Sequence, residues 1–405
     1  MPPRPLEGIR VVEVAMWAFV PAAGGILSDL GAAVTKVEPP AGDPIRGLEI
    51  GGFSSAPGKF DFSWENYNRG KRSITLDLHQ APGVEVLYRL LEDADVFLTN
   101  LLPGARSRMK IDIDDVRARF PNIIYAVGSG SGRLGPESHR GGFDATTFWG
   151  RGGIASSLTE EGAEGPVGPP GPAFGDCISA AILAGGIAAA IAQRAMTGHA
   201  AVVDVSLLSS AMWCMQRAIT QSTHDRVQRF PRSAGRRPNN PLVNTYQTSD
   251  GRFVSLCMLQ QQRYWTKFCE VAGRPDLAHD PRFIDTAARK ANMDACVGEL
   301  KALFRSKSLA QWRQILSSQD GQWDVVQHVG EIWDDCQVQA NRYMQTVHHE
   351  DGRQLQMVSV PMQFDGSPLA ARPAPELGAD SEGILAHLGY DADQIVALKV
   401  AGVVF

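Results

Sequence analysis

The chain has 405 residues, 44% hydrophobic and 20% charged, so it can bury a large core and has the length of two domains or of one large domain with an insertion. Its net charge of −5 leaves no excess of lysine and arginine to neutralise a nucleic-acid backbone, which argues against a nucleic-acid-binding protein. The six cysteines include no Cys-x-x-Cys pair, and the N-terminus lacks the apolar core of a signal peptide. We therefore expect no zinc site, no disulfide framework and a cytoplasmic location.

Strands and helices alternate through the first 130 residues. The β-rich run 9–14, the helical segment 22–30 and a second β-rich run at 31–37 form a βαβ unit, which implies a parallel sheet. The pattern recurs with predicted strands at 73–78, 95–99 and 122–127 and predicted helices at 83–92 and 114–120. This alternation predicts a doubly wound, Rossmann-like α/β domain, with ligand loops such as the glycine-rich 128–132 after its strands. No phosphate-binding loop motif is present.

The second half of the chain predicts a smaller domain. An arginine- and proline-rich stretch at 220–241 indicates a linker, and a strand at 253–256 precedes three helical stretches, at 260–272, 286–304 and 309–319. The tail carries a helix at 381–388 and a last helix that contains Ile395 and Leu398. We expect a large domain at 1–220, a linker and small α+β domain at 221–335, and a C-terminal segment at 336–405 that returns to the large domain.

Asp176 lies between the Pro/Gly-rich loop 169–175 and a small-residue apolar segment at 177–192. That segment, at 16 residues, is too short to span a bilayer and predicts a buried helix. Local physics allows two roles for Asp176. It is either the N-cap of the helix, a role that stabilises a helix by ~1 kcal/mol, or a reactive carboxylate surrounded by the N–H donors of the helix start.

The remaining candidates are carboxylates, histidines and cations. His139 is a possible acid/base group in a glycine-rich loop that also carries Asp144. The pair at 348–349, followed by Glu-Asp-Gly, indicates an exposed and functionally neutral turn. The basic cluster at 68–72 is either a solvated turn or a phosphate clamp. Met16, Trp17 and Phe19 follow the first strand, where substrate loops lie, and suggest either an apolar acyl pocket or core packing.

These residues also resemble a known family. Three segments are similar to the class III CoA-transferases, the CaiB/BaiF or formyl-CoA transferase-like group that includes α-methylacyl-CoA racemase. They are Leu-Glu-Gly-Ile-Arg-Val-Val-Glu at 6–13, Leu-Gly-Ala-Ala-Val-Thr-Lys-Val-Glu-Pro-Pro at 30–40 and Lys-Arg-Ser-Ile-Thr-Leu-Asp-Leu at 71–78. The resemblance continues in order through 103–104, 198–207, 273–283, 377–385 and 401–404.

The resemblance implies an interlocked homodimer with a Rossmann-like large domain completed by the C-terminal tail. It implies that Asp176 is the nucleophile, which forms an aspartyl anhydride and then an aspartyl-CoA thioester before CoA passes to an acceptor carboxylic acid. Asp144 matches an acidic position that assists or positions the acyl group. The implied CoA contacts are Lys71, Arg72, Arg108, Arg46 and Arg140, with no metal, no nucleic acid and no membrane as partner.

Phe143 separates the transferases from the racemases. The racemases pair their aspartate with a histidine at this place, and a phenylalanine cannot move a proton, so the sequence favours CoA transfer unless His139 substitutes after a rearrangement of its loop. Two positions depart from the family. Pro39 stands where some members have an arginine, and 233–237 is a poor substitute for the glycine-rich lid of some transferases. A CoA-ester binding protein without activity is the non-enzymatic alternative.

Overall fold

The computed structural model of the chain describes residues 4–48, 60–230 and 238–405, so the predicted lid position at 233–237 lies outside the described residues. The chain forms two compact units. The larger comprises Met1–Pro231 and Gln339–Phe405, and the smaller comprises Arg232–Val338. Both ends of the chain therefore belong to the larger unit, and the smaller unit is formed by the segment between them.

Strands and helices alternate in the first part of the larger unit. The elements are β1 (Arg10–Val14), α1 (Phe19–Asp29), β2 (Ala33–Glu38), α2 (Phe62–Asn68), β3 (Arg72–Thr75), α3 (Ala81–Glu92), β4 (Val96–Thr99), α4 (Pro103–Arg108), α5 (Ile113–Arg119), β5 (Ile124–Ser129), α6 (Ile154–Leu158), α7 (Phe174–Thr197), β6 (Val202–Ser206), α8 (Leu207–Cys214) and α9 (Gln216–Asp225). A π-helical segment, Asp144–Arg151, precedes α6.

Six of these strands form one parallel sheet in the order β3-β2-β1-β4-β5-β6. The central strands β1 and β4 are buried along most of their length, as expected for a parallel sheet that is covered on both faces. The strand order reverses between β1 and β4, which is the arrangement of doubly wound folds. The predicted α/β fold with a parallel sheet is therefore confirmed.

One apolar core lies on each face of this sheet. The first joins side chains of α1 and α7, such as Leu27 and Leu183, to Leu98 and Ala126 of the sheet. The second joins Phe97 and Tyr125 of the sheet to Leu87 of α3 and to residues near the C-terminus. Adjacent strand residues such as Phe97 and Leu98 point to opposite faces, so each short strand contributes to both cores.

Helix α7 starts earlier and is longer than predicted. Its first residue is Phe174, after Ala173 in a left-handed conformation (φ 57°), and it runs for 24 residues instead of 16. It is long and apolar enough to span a membrane by length and composition, so the length argument from the sequence is wrong. Its buried positions, spaced by three and four residues, nevertheless pack against α1 and the sheet as those of a core helix do.

The smaller unit is an α+β structure with its own core. It contains β7 (Val243–Gln247), β8 (Phe253–Cys257), α10 (Gln261–Val271), α11 (Asp276–His279), α12 (Thr286–Ala291), α13 (Met293–Phe304), α14 (Leu309–Leu316), β9 (Trp323–Val325) and the 3₁₀ segment Val329–Asp334. The strands form an antiparallel sheet in the order β7-β8-β9. Trp265, Phe268, Phe304 and Trp312 are buried together in its core.

The C-terminal segment returns to the large sheet. Its elements are α15 (Cys336–Ala340), β10 (Met344–His348), β11 (Gln354–Val358), β12 (Gln363–Phe364), β13 (Ser367–Pro368), α16 (Ser381–His387) and α17 (Ala392–Val400). Leu385 and Val403 are buried in the second core, and Val404 forms an antiparallel bridge with Leu76. The last residues of the chain thus close the sheet face that α3 leaves uncovered.

Candidate active site

A cavity of about 370 Å³ opens at the carboxyl ends of β1, β4 and β5. This edge is where the strand order reverses, and open parallel sheets bind ligands at such a point. The loops after β1 and β4 are held together there, because the Met16 N–H donates to Asn100 Oδ1 (3.0 Å) and Asn100 Nδ2 donates to the Met16 carbonyl (2.6 Å). The lining includes Met16, Trp17, Phe19, Leu102, Ser129, Gly130, Arg133, Arg140, Phe143 and Asp176.

Asp176 reaches this cavity from the first turn of α7. It is the third residue of the helix, and Ala173 occupies the N-cap position without a side-chain cap bond. The N-cap interpretation of Asp176 is therefore wrong, because the helix begins three residues before the apolar segment that was used to predict it. The half-buried carboxylate still lies near the N–H groups of the helix start, where the helix dipole favours negative charge.

Asp144 supplies the missing cap from a different element. Its side chain is buried (7% exposed), and Oδ2 accepts a hydrogen bond from the Gly175 N–H at 3.0 Å, while Oδ1 has no partner. A Cβ at Gly175 would lie 2.6 Å from Asp144 Oδ1 and would also collide with the Phe148 ring. Glycine at this position therefore lets the π-helical segment approach the start of α7 and brings the two carboxylates together.

The two carboxylates have different electrostatic surroundings. Burial, and then the negative charge of Asp144, raise the pKa of Asp176 to about 7. Burial also raises the pKa of Asp144, but the hydrogen bond from the Gly175 N–H and the nearby N–H groups of Asp176 and Phe174 oppose that shift. Two nearby carboxylates separate in pKa when only one of them is held by fixed donors. Asp144 is accordingly the carboxylate that the helix stabilises as an anion, whereas Asp176 is the one turned to the cavity.

Two further polar side chains lie near Asp176. Burial, and then the negative charges of Cys177, Asp176 and Asp144, raise the pKa of the Tyr67 hydroxyl, which therefore stays protonated and able to donate a hydrogen bond. Burial and Asp176 raise the pKa of the Cys177 thiol to about 11, so the thiol is protonated at neutral pH. Sequence reasoning did not single out Tyr67, because nothing in α2 marks it as different from a core aromatic residue.

Trp17 and Phe143 form an aromatic wall of the cavity. Their rings meet edge to face, with centroids 5.4 Å apart. Trp17 has a left-handed backbone (φ 72°), a conformation that costs free energy in a bulky residue, and its N–H donates to Asp43 Oδ1 at 3.0 Å. Phe143 therefore lies at the cavity, where the sequence placed it, and the predicted acyl-pocket residues Met16, Trp17 and Phe19 all line it.

Of the five predicted CoA-binding cations, only Arg140 lines this cavity. Lys71 is buried and donates to Glu13 Oε1, the Pro21 carbonyl and Asn68 Oδ1, so all three of its protons are used within the protein. Arg46 pairs with Glu38 and stacks on Trp64. The other two predicted cations are exposed, Arg108 on the last turn of α4 and Arg72 at the start of β3.

Two arginines that the sequence analysis did not select also line the cavity. Arg133 follows the glycine-rich loop after β5 and pairs with Asp204 at 3.2 Å. Arg106 is largely buried, and it bonds to Asp112 and to the Leu101 carbonyl. The position of Arg133, directly after a strand and a glycine-rich turn, was a signal that could have identified it.

The predicted histidines lie elsewhere. His139 is exposed and does not line the cavity, although its neighbours Ser138 and Arg140 do. The interpretation of 348–349 as an exposed turn is wrong for His349, which is 10% exposed and lies 3.5 Å from Glu65. The turn between β10 and β11 packs against α2 and buries this ring. Within 4–48, 60–230 and 238–405, no cluster of three His, Cys, Asp or Glu side chains could hold a metal ion.

The family profile and the similar known proteins all point to the same family. Residues 6–381 match the sequence profile of CoA-transferase family III. The chain is 31% identical over 404 residues to (R)-2-hydroxy-4-methylpentanoate CoA-transferase of Clostridioides difficile, covering 98% of this chain and 99% of that protein. It is 29% identical over 401 residues to cinnamoyl-CoA:phenyllactate CoA-transferase of Clostridium sporogenes, covering 97% and 95%.

The solved structures agree with the sequence comparisons. The crystal structure of a CaiB/BaiF family protein from Brucella suis superposes with a TM-score of 0.80 at 28% identity, covering 95% of this chain and 99% of that one. The matches extend along nearly the whole chain. The chain therefore belongs to CoA-transferase family III.

Proposed function

We propose that this CoA-transferase moves CoA from an acyl-CoA thioester to a carboxylic acid through covalent intermediates on Asp176. The observation that carries the proposal is the position of Asp176, whose carboxylate lines an otherwise largely apolar cavity at the first turn of α7. A nucleophile in such a place meets few water molecules, and nearby N–H groups can stabilise the oxyanion that forms when it attacks a carbonyl.

Each thioester bond that the reaction breaks is replaced by a new one. A carboxylate oxygen of Asp176 attacks the thioester carbonyl, the C–S bond breaks, and a mixed anhydride and CoA thiolate result. The thiolate attacks the aspartyl carbonyl and releases the donor acid. The acceptor carboxylate then attacks the aspartyl thioester to form a second anhydride, and the thiolate attacks its acyl carbon, so that acceptor acyl-CoA leaves and Asp176 is restored.

Asp144 acts as a positioning residue in this scheme. Its hydrogen bond to the Gly175 N–H fixes the start of α7, and its charge keeps the Asp176 carboxylate basic by raising the pKa of that group. A carboxylate with a pKa near 7 is a stronger nucleophile than one near 4 and is still half ionised at neutral pH.

The side chains that line the cavity suit an apolar acyl group and supply positive charge. Trp17, Phe19, Leu102 and Phe143 offer apolar surface, while Arg133 and Arg140, each of which also pairs with a carboxylate, supply positive charge for CoA phosphates or an acceptor carboxylate. The two curated relatives are named for 2-hydroxy-4-methylpentanoate and for phenyllactate, acids with branched or aromatic side chains. We infer that this chain also acts on acids with a bulky apolar side chain.

Racemisation of a 2-methylacyl-CoA is the competing activity. It requires two groups that exchange a proton with the α-carbon, and Phe143, which lines the cavity, stands in the sequence where the racemases have their histidine. His139 does not line the cavity, so no imidazole faces Asp176 there.

The exposed apolar side chains of α7 and α8 support a homodimer, in which a second copy covers them.

Trapping of the intermediate tests the mechanism. The protein is incubated with a branched or aromatic acyl-CoA and then with hydroxylamine, which converts an aspartyl thioester or anhydride into a hydroxamate. We expect the modified peptide to contain Asp176. Asp176→Ala should reduce CoA transfer by at least about 10³-fold, on the order of 4 kcal/mol of lost transition-state stabilisation, and should still bind CoA.

Three results would contradict the proposal. Transfer at the wild-type rate by Asp176→Ala would exclude a covalent role for this residue. Deuterium incorporation from D₂O at the α-carbon of a 2-methylacyl-CoA, in the absence of an acceptor acid, would favour the racemase. Binding of CoA esters with neither reaction would favour the binding protein.

A further inference from the structure

The basic residues of the cluster at 68–72 have different surroundings in the folded chain. Arg69 pairs with Asp29 (Nε to Oδ2, 2.8 Å), and Lys71 is buried against Glu13. Arg72 instead lines a second cavity, of about 720 Å³. The first residues of β2 and β3 border this cavity, so it lies at the amino edge of the sheet, opposite to the edge at which Asp176 lies.

Three guanidinium groups, those of Arg4, Arg72 and Arg372, line this second cavity. Within the described parts of the chain, none of the three forms an ion pair with a carboxylate. Arg72 donates to the Thr35 hydroxyl at 3.3 Å, and Arg372 donates to the Ser28 hydroxyl at 3.0 Å. Glu7 and Asp365 also line the cavity, so its formal charge is positive by one. Unpaired arginines around a concave surface are the usual ligands of phosphate groups.

Two glycines position two of these arginines. A Cβ at Gly31 (φ 108°) would lie 2.5 Å from Arg4 Cβ. A Cβ at Gly70 (φ 69°) would lie 2.5 Å from Ser28 Oγ and 3.1 Å from Arg372 Nε. Both arginine side chains therefore lie directly over glycine backbone. Partial burial, and then the positive charge of Arg4, lower the pKa of Arg372, while the negative charge of Asp29 opposes this shift, so the two cations repel each other and Asp29 offsets part of that repulsion.

We propose that this second cavity binds a small polyanion that carries phosphate groups, with Arg4, Arg72 and Arg372 as its cationic ligands. A phosphate group between the arginines would remove their mutual repulsion and would satisfy N–H donors that now face solvent. The volume is that of a small-molecule site, and Phe364 and Leu369 give it apolar walls against which an organic part of the ligand can pack. The proposal does not depend on the transferase mechanism.

Calorimetric titration of the full chain with inorganic pyrophosphate, ADP and citrate tests the site. We expect pyrophosphate to bind, ADP to bind more tightly if the apolar walls contribute, and citrate to bind at least about 10-fold more weakly than pyrophosphate. Arg72→Gln and Arg372→Gln should each weaken pyrophosphate binding about 10-fold, the loss expected for one charged hydrogen bond. Citrate binding as tight as that of pyrophosphate would overturn the preference for phosphate.

Arg10→Gln is the matched control. Arg10 is an exposed arginine at the same edge of the sheet, but it pairs with Asp93 and does not line the cavity. Its substitution should leave pyrophosphate affinity unchanged, and an equal loss in this variant would mean that only the overall charge matters. All variants are first compared with the wild type by circular dichroism, since Arg72 and Arg372 are exposed and their loss should not unfold the chain.

Hydrogen exchange locates the ligand independently of any substitution. Pyrophosphate should slow amide exchange in 31–35, 70–75 and 364–372, the segments that surround the second cavity. Protection confined to 128–143 and 174–177 would show that the phosphates occupy the CoA-transferase site, and the proposal of a separate site would then be wrong. Absence of binding at millimolar pyrophosphate would also overturn it.

Discussion

At the scale of single residues, Asp144 and Asp176 divide two tasks that one carboxylate could not perform. Burial raises the pKa of both carboxyl groups, but backbone N–H groups at the start of α7 oppose that shift only at Asp144. Here the Gly175 N–H binds Asp144, and Asp176 keeps a raised pKa beside it. Burial therefore raises the pKa of Asp176 most, and the negative charge of Asp144 raises it further.

Asp176→Asn should stabilise the protein at alkaline pH. The carboxyl group has a pKa of about 7 when folded and near 3.8 when unfolded, so between these values the native state holds the proton and the unfolded state does not. The stability that this group contributes is complete below pH 3.8 and is lost as the pH rises to 7. The neutral amide lacks this loss, which is on the order of 2 kcal/mol for a half-buried group.

Thermal unfolding at pH 5 and at pH 8.5 measures this effect. The Tm of Asp176→Asn should exceed that of the wild type by several degrees at pH 8.5 and by clearly less at pH 5. In wild-type protein, kcat/KM should fall as the pH is lowered below about 7, because the protonated carboxyl cannot attack. A Tm difference that is equal at both pH values would show that Asp176 has no raised pKa.

At the scale of elements, the contact between the π-helical segment and the first turn of α7 builds the site. Phe148 and Asp144 come from Asp144–Arg151, and they approach the α7 backbone so closely that only a glycine fits at 175. The left-handed Ala173 ends the preceding loop and fixes the direction in which α7 leaves it. The chemistry of Asp176 therefore depends on how two elements meet as well as on its own side chain.

Gly175→Ala should damage both stability and activity. The new methyl group would collide with the Phe148 ring and approach Asp144 Oδ1, so we expect a loss of about 1–3 kcal/mol and a fall in kcat through displacement of the two carboxylates. Gly298→Ala is the control, because Gly298 is an exposed glycine within α13, and a methyl group added there would meet no atom within 4 Å. It should gain up to about 1 kcal/mol.

Urea unfolding and steady-state kinetics of the two variants decide the question. If Gly175→Ala unfolds at the same urea concentration as the wild type, with the same kcat, the close approach of Phe148 and Asp144 has no functional meaning. A stabilised Gly298→Ala variant with full activity would show that alanine is harmful at 175 because of its neighbours and not because of helix propensity.

At the scale of the whole molecule, the sequence predicted the parallel sheet because apolar strands and amphipathic helices alternate regularly. It also identified Asp176, Phe143 and Arg140 as residues of one region. It did not reveal that Lys71 is buried, since a lysine before a strand looks the same whether it faces a ligand or a buried Glu13. It missed Tyr67 and the capping role of Asp144, because both arise from contacts between residues far apart in the chain.

The larger unit exposes apolar side chains on α7 and α8 that no described part of the same chain covers. Phe174, Ile182 and Met196 on α7 and Met212 and Trp213 on α8 are 36–79% exposed. Exposed apolar side chains on neighbouring helices mark a protein interface more often than a free surface. We propose that a second copy packs on this surface in a homodimer, which would also cover a helix whose first turn carries Asp176.

Trp213→Glu should shift the protein from dimer to monomer. Burying an unpaired carboxylate in an apolar interface costs several kcal/mol, enough to raise the dimer dissociation constant by at least about 100-fold. Sedimentation velocity over a range of protein concentrations gives that constant. Leu259→Glu is the control, because Leu259 is 76% exposed and belongs to the smaller unit, whereas α7 and α8 belong to the larger one. Dissociation by both variants, or by neither, would contradict an interface at Trp213, whereas a selective effect accompanied by reduced CoA transfer would link assembly to the placement of Asp176.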